Sequence, residues 1–138
     1  MNRIIRKRII GISVLGILIV CGVLAKEFLK RDYMNLSDAD KRWGHSQFDP
    51  EKFKAGNTKT KSTMVVSLIK GKTMLGKPLS EIRTILGDYT GHLWNDDIPA
   101  YVIEEGWRTR QDTWQIVFLP DANRKVVEIK IHKNCCDP

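Results

Sequence analysis

Residues 114–131 read WQIVFLPDANRKVVEIKI, and this stretch decides the fold class. Trp114, Ile116 and Phe118 alternate with Gln115 and Val117, the period of two that sends successive strand side chains to opposite faces. Val127, Ile129 and Ile131 alternate in the same way against Glu128, Lys130 and His132. Between the two runs, Pro120-Asp121-Ala122-Asn123 has turn composition, with Asn123 suited to a positive φ. Two alternating runs around a short turn predict an antiparallel hairpin.

Toward the N-terminus, Ala100–Glu104 (AYVIE) reads as a further strand, and before Gly87 the period becomes helical. Leu79, Ile82, Ile85 and Leu86 share one helical face, with Pro78 setting φ at the start and Gly87 suited to the stop. Met64, Val65, Leu68 and Ile69 form the stripe of another short helix ending near Gly71. The order helix, helix, strand, strand, strand predicts an α+β domain over residues 62–138, a small two-layer unit of two helices packed on a three-stranded antiparallel sheet. Asp49-Pro50-Glu51 starts a short helix, with Asp as N-cap and Pro at N1, and Gly56-Asn57 stops it. Lys54 to Lys61 is polar and cationic and reads as a linker. Residues 26–61 are thus expected to form a polar stalk, in which Asn35 to Asp40 offers local capping groups.

Residues 9–25, IIGISVLGILIVCGVLA, carry no charge. As a helix they reach roughly 25 Å, close to the bilayer core of about 30 Å. Ile9, Leu15, Ile17, Leu18 and Val20 belong to this expected membrane anchor, behind a cytoplasmic tip holding Arg3, Arg6, Lys7 and Arg8. Residues 1–25 therefore read as basic tip and signal anchor. The positive-inside rule places the remainder outside the cytoplasm, a single-pass bacterial inner-membrane topology with a periplasmic domain. Cleavage after Ala25 and lipidation of Cys21 stand as alternatives. The four cations also supply most of the net charge of +7. Residues 26–138 carry only +3, which argues against a nucleic-acid partner. Within them, 26–83 is cationic and 84–138 anionic; the first half is either a solvated tether or a surface for anionic polymers and headgroups.

The motif Gly76-Lys77-Pro78-Leu79-Ser80-Glu81-Ile82-Arg83-Thr84-Ile85-Leu86-Gly87, followed by an aromatic-bearing strand and a hairpin, resembles the BamE (SmpA/OmlA) family of small bacterial outer-envelope proteins over about residues 64–132. The resemblance implies an envelope-assembly or maintenance role exercised by binding another protein.

No catalytic set, metal spacing or cofactor motif emerges, so the chain reads as non-catalytic, without a cofactor or metal. His45, His92 and His132 are isolated. The loop Gly91–Asp97 holds an imidazole and two carboxylates, a composition open to metal or general-base chemistry but read here as a polar turn pinned by Leu93 and Trp94. Adjacent Cys135 and Cys136 would close a strained ring on each other, which leaves two readings: either thiol cross-links a dimer or a partner, or both are free thiols of the tail. Trp94 and Trp107, in loops beside Asp96, Asp97, Glu104 and Glu105, are the expected contact residues for a protein partner. Together these readings describe a membrane-anchored envelope protein that binds another protein. The alternative is an exported immunity or inhibitor protein that neutralises a secreted toxin or enzyme outside the cytoplasm.

Overall fold

The computed structural model describes residues 32–94, 96–106 and 113–134. Their elements run β1 (Tyr33–Met34), α1 (Leu36–Trp43), α2 (Pro50–Ala55), α3 (Thr58–Gly71), α4 (Leu79–Leu86), β2 (Ala100–Glu104), β3 (Thr113–Pro120) and β4 (Val126–Asn134). The strands form one antiparallel sheet in the order β1-β4-β3-β2. The described residues thus give an α+β unit of four helices and a four-stranded sheet, where the sequence predicted a domain of two helices and three strands behind a stalk with one short helix.

The extra elements come from the span read as a stalk. Asn35 caps α1 by accepting from the Asp38 N–H, and Asp49 caps α2 by accepting from the Lys52 N–H, with Pro50 at the first turn. Asn57, read as part of a helix stop, caps α3 through the Thr60 N–H. That cap moves the helix start back to Thr58, inside the expected linker. Lys61 is buried, with Nζ 5.7 Å from the centre of the Phe53 ring. Polar composition hid α1 and the place of the expected short helix α2 in the core, because each contributes a single buried side chain, Ala39 and Phe53 respectively.

Ile116, Phe118, Ile131, Tyr101 and Ile103 face the helices and meet Phe53, Val65, Leu68, Ile82 and Leu86 in the main core. Edge-to-face contacts link Phe48, Phe53, Tyr101 and Phe118 at ring separations of 5.8–6.1 Å, the arrangement that aromatic quadrupoles favour. The Tyr101 hydroxyl donates to the Gly87 carbonyl at 3.0 Å, tying the sheet to the end of α4. Gly87 has φ +90, so its backbone favours a residue without Cβ.

Two details of the hairpin differ from expectation. A register shift at Leu119/Pro120 leaves Val127 57% exposed, while Val126 enters the core in its place. The positive φ falls on Arg124, at +60, instead of Asn123. Asp121 accepts from the N–H groups of both Asn123 and Lys125, and its carbonyl accepts from Arg124, so the left-handed residue is the one that closes the turn.

The membrane-anchored architecture requires correction. Among the described residues no helix is long and apolar enough to cross a membrane; the 14-residue α3 carries four lysines or threonines in its first four positions. The run 9–25, with Ile9, Leu15, Ile17, Leu18 and Val20, lies outside the described residues. The single-pass inner-membrane topology, the periplasmic address, and the envelope and toxin partners deduced from them therefore find no support among the described residues. The expected dimer through Cys135 or Cys136 also fails to find support, since the described residues contain no cysteine.

Candidate functional site

The loop between α4 and β2 covers the sheet face opposite the helices. Leu93 is buried there against Ala100 and Val117, with Ile98 and Leu119 packed around them. Gln115, predicted to face away from the main core, is itself fully buried beneath this loop. Its Oε1 accepts from the His92 N–H at 3.0 Å, and its Nε2 donates to the His92 carbonyl at 2.6 Å. A buried amide that satisfies both polar groups of one residue fixes the backbone there, because releasing either group unpaired costs about 1–3 kcal/mol. At the loop's start, the N–H groups of Thr90 and Gly91 both donate to the Ala100 carbonyl.

Two residues beyond this clamp, Trp94 is 75% exposed and has φ +57. The left-handed region costs a bulky residue about 1–2 kcal/mol, which the clamped base of the loop sustains. The His92 Nδ1 lies 3.0 Å from the Asp96 carboxylate, an i,i+4 contact that spans Trp94. The Asp96 side chain is almost wholly exposed, and Asp97 lies 3.8 Å from the Arg124 guanidinium.

Beside this loop opens a polar cleft of about 430 Å³, walled by Arg83, Arg124, Tyr89, Ser80, Asp96 and Asp97. Arg83 makes two bonds to Asp88, at 2.6 and 2.9 Å, and lies 5.7 Å from the centre of the Tyr89 ring. Asp88 reinforces the protonated state of Arg83, and burial pushes the Tyr89 phenol above its ordinary value. The cleft therefore offers guanidinium and carboxylate groups of both signs on fixed elements.

The expected contact residues separate into distinct roles. Trp94, Asp96 and Asp97 come together on the loop and the rim of the cleft. Glu104 does not join them. It accepts from Arg42 Nε and Nη2 at 3.0 and 2.5 Å and from Trp43 Nε1 at 2.5 Å, clasping α1 to β2. Arg42 holds the Glu104 carboxyl below its ordinary value, chiefly by hydrogen bonding. Glu105 is exposed just past that clasp, and Trp107 lies outside the described residues. Trp43, expected in a polar stalk, instead packs edge-on against Trp114 at 6.4 Å.

Sequence reading missed Arg83, Arg124 and Tyr89 as neighbours of Asp96 and Asp97. Arg83 sits on the polar side of α4, and Arg124 sits in the turn; only the folded sheet brings them to the loop. The missed anchor, Gln115, had one legible signal: a polar residue at the centre of an otherwise apolar strand. Comparison with models of protein families, with curated proteins and with solved structures finds no match for this chain.

Proposed function

We propose that this α+β unit is a non-catalytic protein-binding module whose contact surface is the Trp94 loop with the adjoining cleft. One observation carries the reading: an exposed tryptophan held in the left-handed region on a loop clamped at its base. Tryptophan is a favoured interface anchor because its large apolar face offers much contact area for few rotatable bonds. A loop fixed before binding also spares the ordering cost that a mobile one incurs on association. Asp96 and the Asp97–Arg124 pair border the anchor and suit a partner presenting a basic side chain beside an apolar socket. The engagement of Glu104 by Arg42 and of Asp88 by Arg83 supports a structural use for these carboxylates. The resemblance of about residues 64–132 to the BamE family, carried by the Gly76–Gly87 motif, is in keeping with the same protein-binding proposal.

A photo-crosslinking residue placed at position 94 tests the reading in the full chain. One partner species should be captured, and its affinity for the unlabelled protein should fall about 30-fold on Trp94→Ala, equivalent to about 2 kcal/mol. A partner that binds Trp94→Ala as tightly as the parent, with the fold intact, overturns it.

A further inference from the structure

The buried end of the loop clamp meets a second histidine. Gln115 Nε2, which donates to the His92 carbonyl, also lies 3.4 Å from His132 Nδ1 on the neighbouring strand. Gln115 and His132 are cross-strand partners in the β3–β4 register. The orientation of the Gln115 amide follows from its bonds to His92: a backbone N–H must face the amide oxygen, and a backbone carbonyl must face the amide nitrogen. The amide therefore turns a donor toward His132. A neutral imidazole answers it by leaving Nδ1 unprotonated and carrying its proton on Nε2.

We propose that His132 and Gln115 form a pH-responsive latch, which holds the Trp94 loop on the sheet while His132 is neutral and loosens it when Nδ1 takes up a proton from solvent. A protonated Nδ1 sets an N–H against the N–H of the amide, and neither can accept. Gln115 can escape only by turning its oxygen toward the imidazolium. That turn sets its NH₂ against the His92 N–H and its oxygen against the His92 carbonyl, so both bonds to His92 are lost. The two-sided clamp cannot survive the exchange, because one amide has only one acceptor atom. The strain thus falls on the segment that carries Trp94.

The surroundings keep His132 poised to act in this way. The residue is 9% exposed, with the Tyr33 ring tilted at 5.1 Å from the centre of the imidazole. Burial lowers its pKa, while the Asp32 carboxylate acts in the opposite direction. Among the described residues, the titratable and charged groups around it are Asp32 and Tyr33 from the β1 side and Lys130, paired with Glu128, on β4 itself. Lys130 Nζ lies 4.9 Å from the centre of the same Tyr33 ring. Across Gln115, the loop contributes His92 with its Asp96 contact. Histidine is the side chain whose charge changes nearest neutrality, so acidification below about pH 6.5 is the range in which such a latch operates.

The consequence for partner binding rests on the proposed role of Trp94, but the latch itself can be read without any partner. NMR of the full chain between pH 8 and pH 5 would follow the His132 ring, the Gln115 side-chain amide and hydrogen exchange in the loop. The His132 and Gln115 signals should move with one midpoint. After correction for intrinsic rates, exchange of the loop amides should rise about tenfold or more below it. His132→Gln, which retains an acceptor without a titrating ring, should abolish the step, whereas His92→Asn, which keeps the backbone groups Gln115 binds, should retain it. A His132 that titrates while the Gln115 amide and the loop stay unchanged overturns the latch. So does a step that persists in His132→Gln. Should that variant fail to fold, the common midpoint in the parent protein still decides the matter. Loss of the step leaves the Trp94 crosslinking result untouched, so the two readings fail separately.

Discussion

Gln115 of β3 satisfies both the N–H and the carbonyl of His92, 23 residues earlier in the chain. One buried side chain thereby fixes the conformation of a loop whose own composition is polar and carries no repeating hydrogen-bond pattern. Removing it should do more than empty a cavity. Gln115→Ala leaves two His92 backbone groups without their partner and should destabilise by about 2–4 kcal/mol, measured by urea denaturation. Gln115→Glu, nearly the same shape, should also destabilise, because a carboxylate cannot donate to the His92 carbonyl. Equal stability of the Glu variant and the parent at pH 7 would show that the clamp contributes nothing.

Gly91 lies directly against the same amide. A Cβ there would stand 2.3 Å from Gln115 Oε1 and 3.2 Å from the Ala100 Cβ. Gly91→Ala should therefore push Gln115 out of its bonds and cost about 1–3 kcal/mol. In a double mutant with Gln115→Ala the alanine at 91 should cost much less, since the atom it strikes is gone. Additive losses in that cycle would rule out the steric link.

The clasp between Glu104 and the pair Arg42 and Trp43 joins residues 61 and 62 positions apart. Glu104 has a folded pKa below its ordinary value, so its stabilisation is complete above about pH 4.5 and disappears as pH falls through the lowered value. The side chains of Glu104 and Arg42 are 32% and 48% exposed, which limits the effect to about 1 kcal/mol. Denaturation of the parent and Glu104→Gln should differ by that amount at pH 7, and the gap should narrow steadily as pH falls below about 4.5. A gap that does not change with pH below about 4.5 would assign the loss to packing.

Tyr101 reports on the core. Its phenol is pushed above its ordinary value chiefly by burial. The unfolded chain ionises first, so stability should decline as pH rises past about 10. Absorbance titration should show at least one tyrosine resisting ionisation until the protein unfolds. Tyr101→Phe removes the donor to Gly87 and should cost about 1–2 kcal/mol at neutral pH. Ordinary titration of all three tyrosines in the folded protein would contradict the buried placement.

Trp94 should behave in the opposite way to a core aromatic. With 75% of its surface exposed and φ +57, little packing is lost and backbone strain is relieved when glycine replaces it. Trp94→Gly should leave stability unchanged or raise it by up to about 1 kcal/mol, read as the thermal midpoint. A fall of more than about 1 kcal/mol would mean that the ring is part of the packing and not a presented anchor.

Local pattern carried part of this structure into view. The α4 boundaries are legible because Leu79, Ile82, Ile85 and Leu86 repeat at helical spacing between a φ-fixing proline and a glycine stop. The core face of β3 is legible because Ile116 and Phe118 share a parity. Where two readings of one residue differ only in what it meets, pattern is silent. Glu104 looked like a surface carboxylate until Arg42 and Trp43 folded against it, and Lys61 looked like linker until α3 laid it beside Phe53. Of the candidate site, Trp94, Asp96 and Asp97 could be named from a polar loop rich in turn formers. Arg83, Tyr89 and Arg124 could not, because their approach depends on how α4 and the hairpin cross the sheet.

Spacing and backbone chemistry within a few residues set the helical and strand periods, the caps at Asp49 and Gly87 and the α+β class. Tertiary structure alone decided that the second face of the sheet is covered, that Gln115 clamps His92, and that Trp94 stands exposed beside a cleft. Those outcomes require side chains dozens of positions apart to share one desolvated space, and no local preference of the chain encodes which of them will meet.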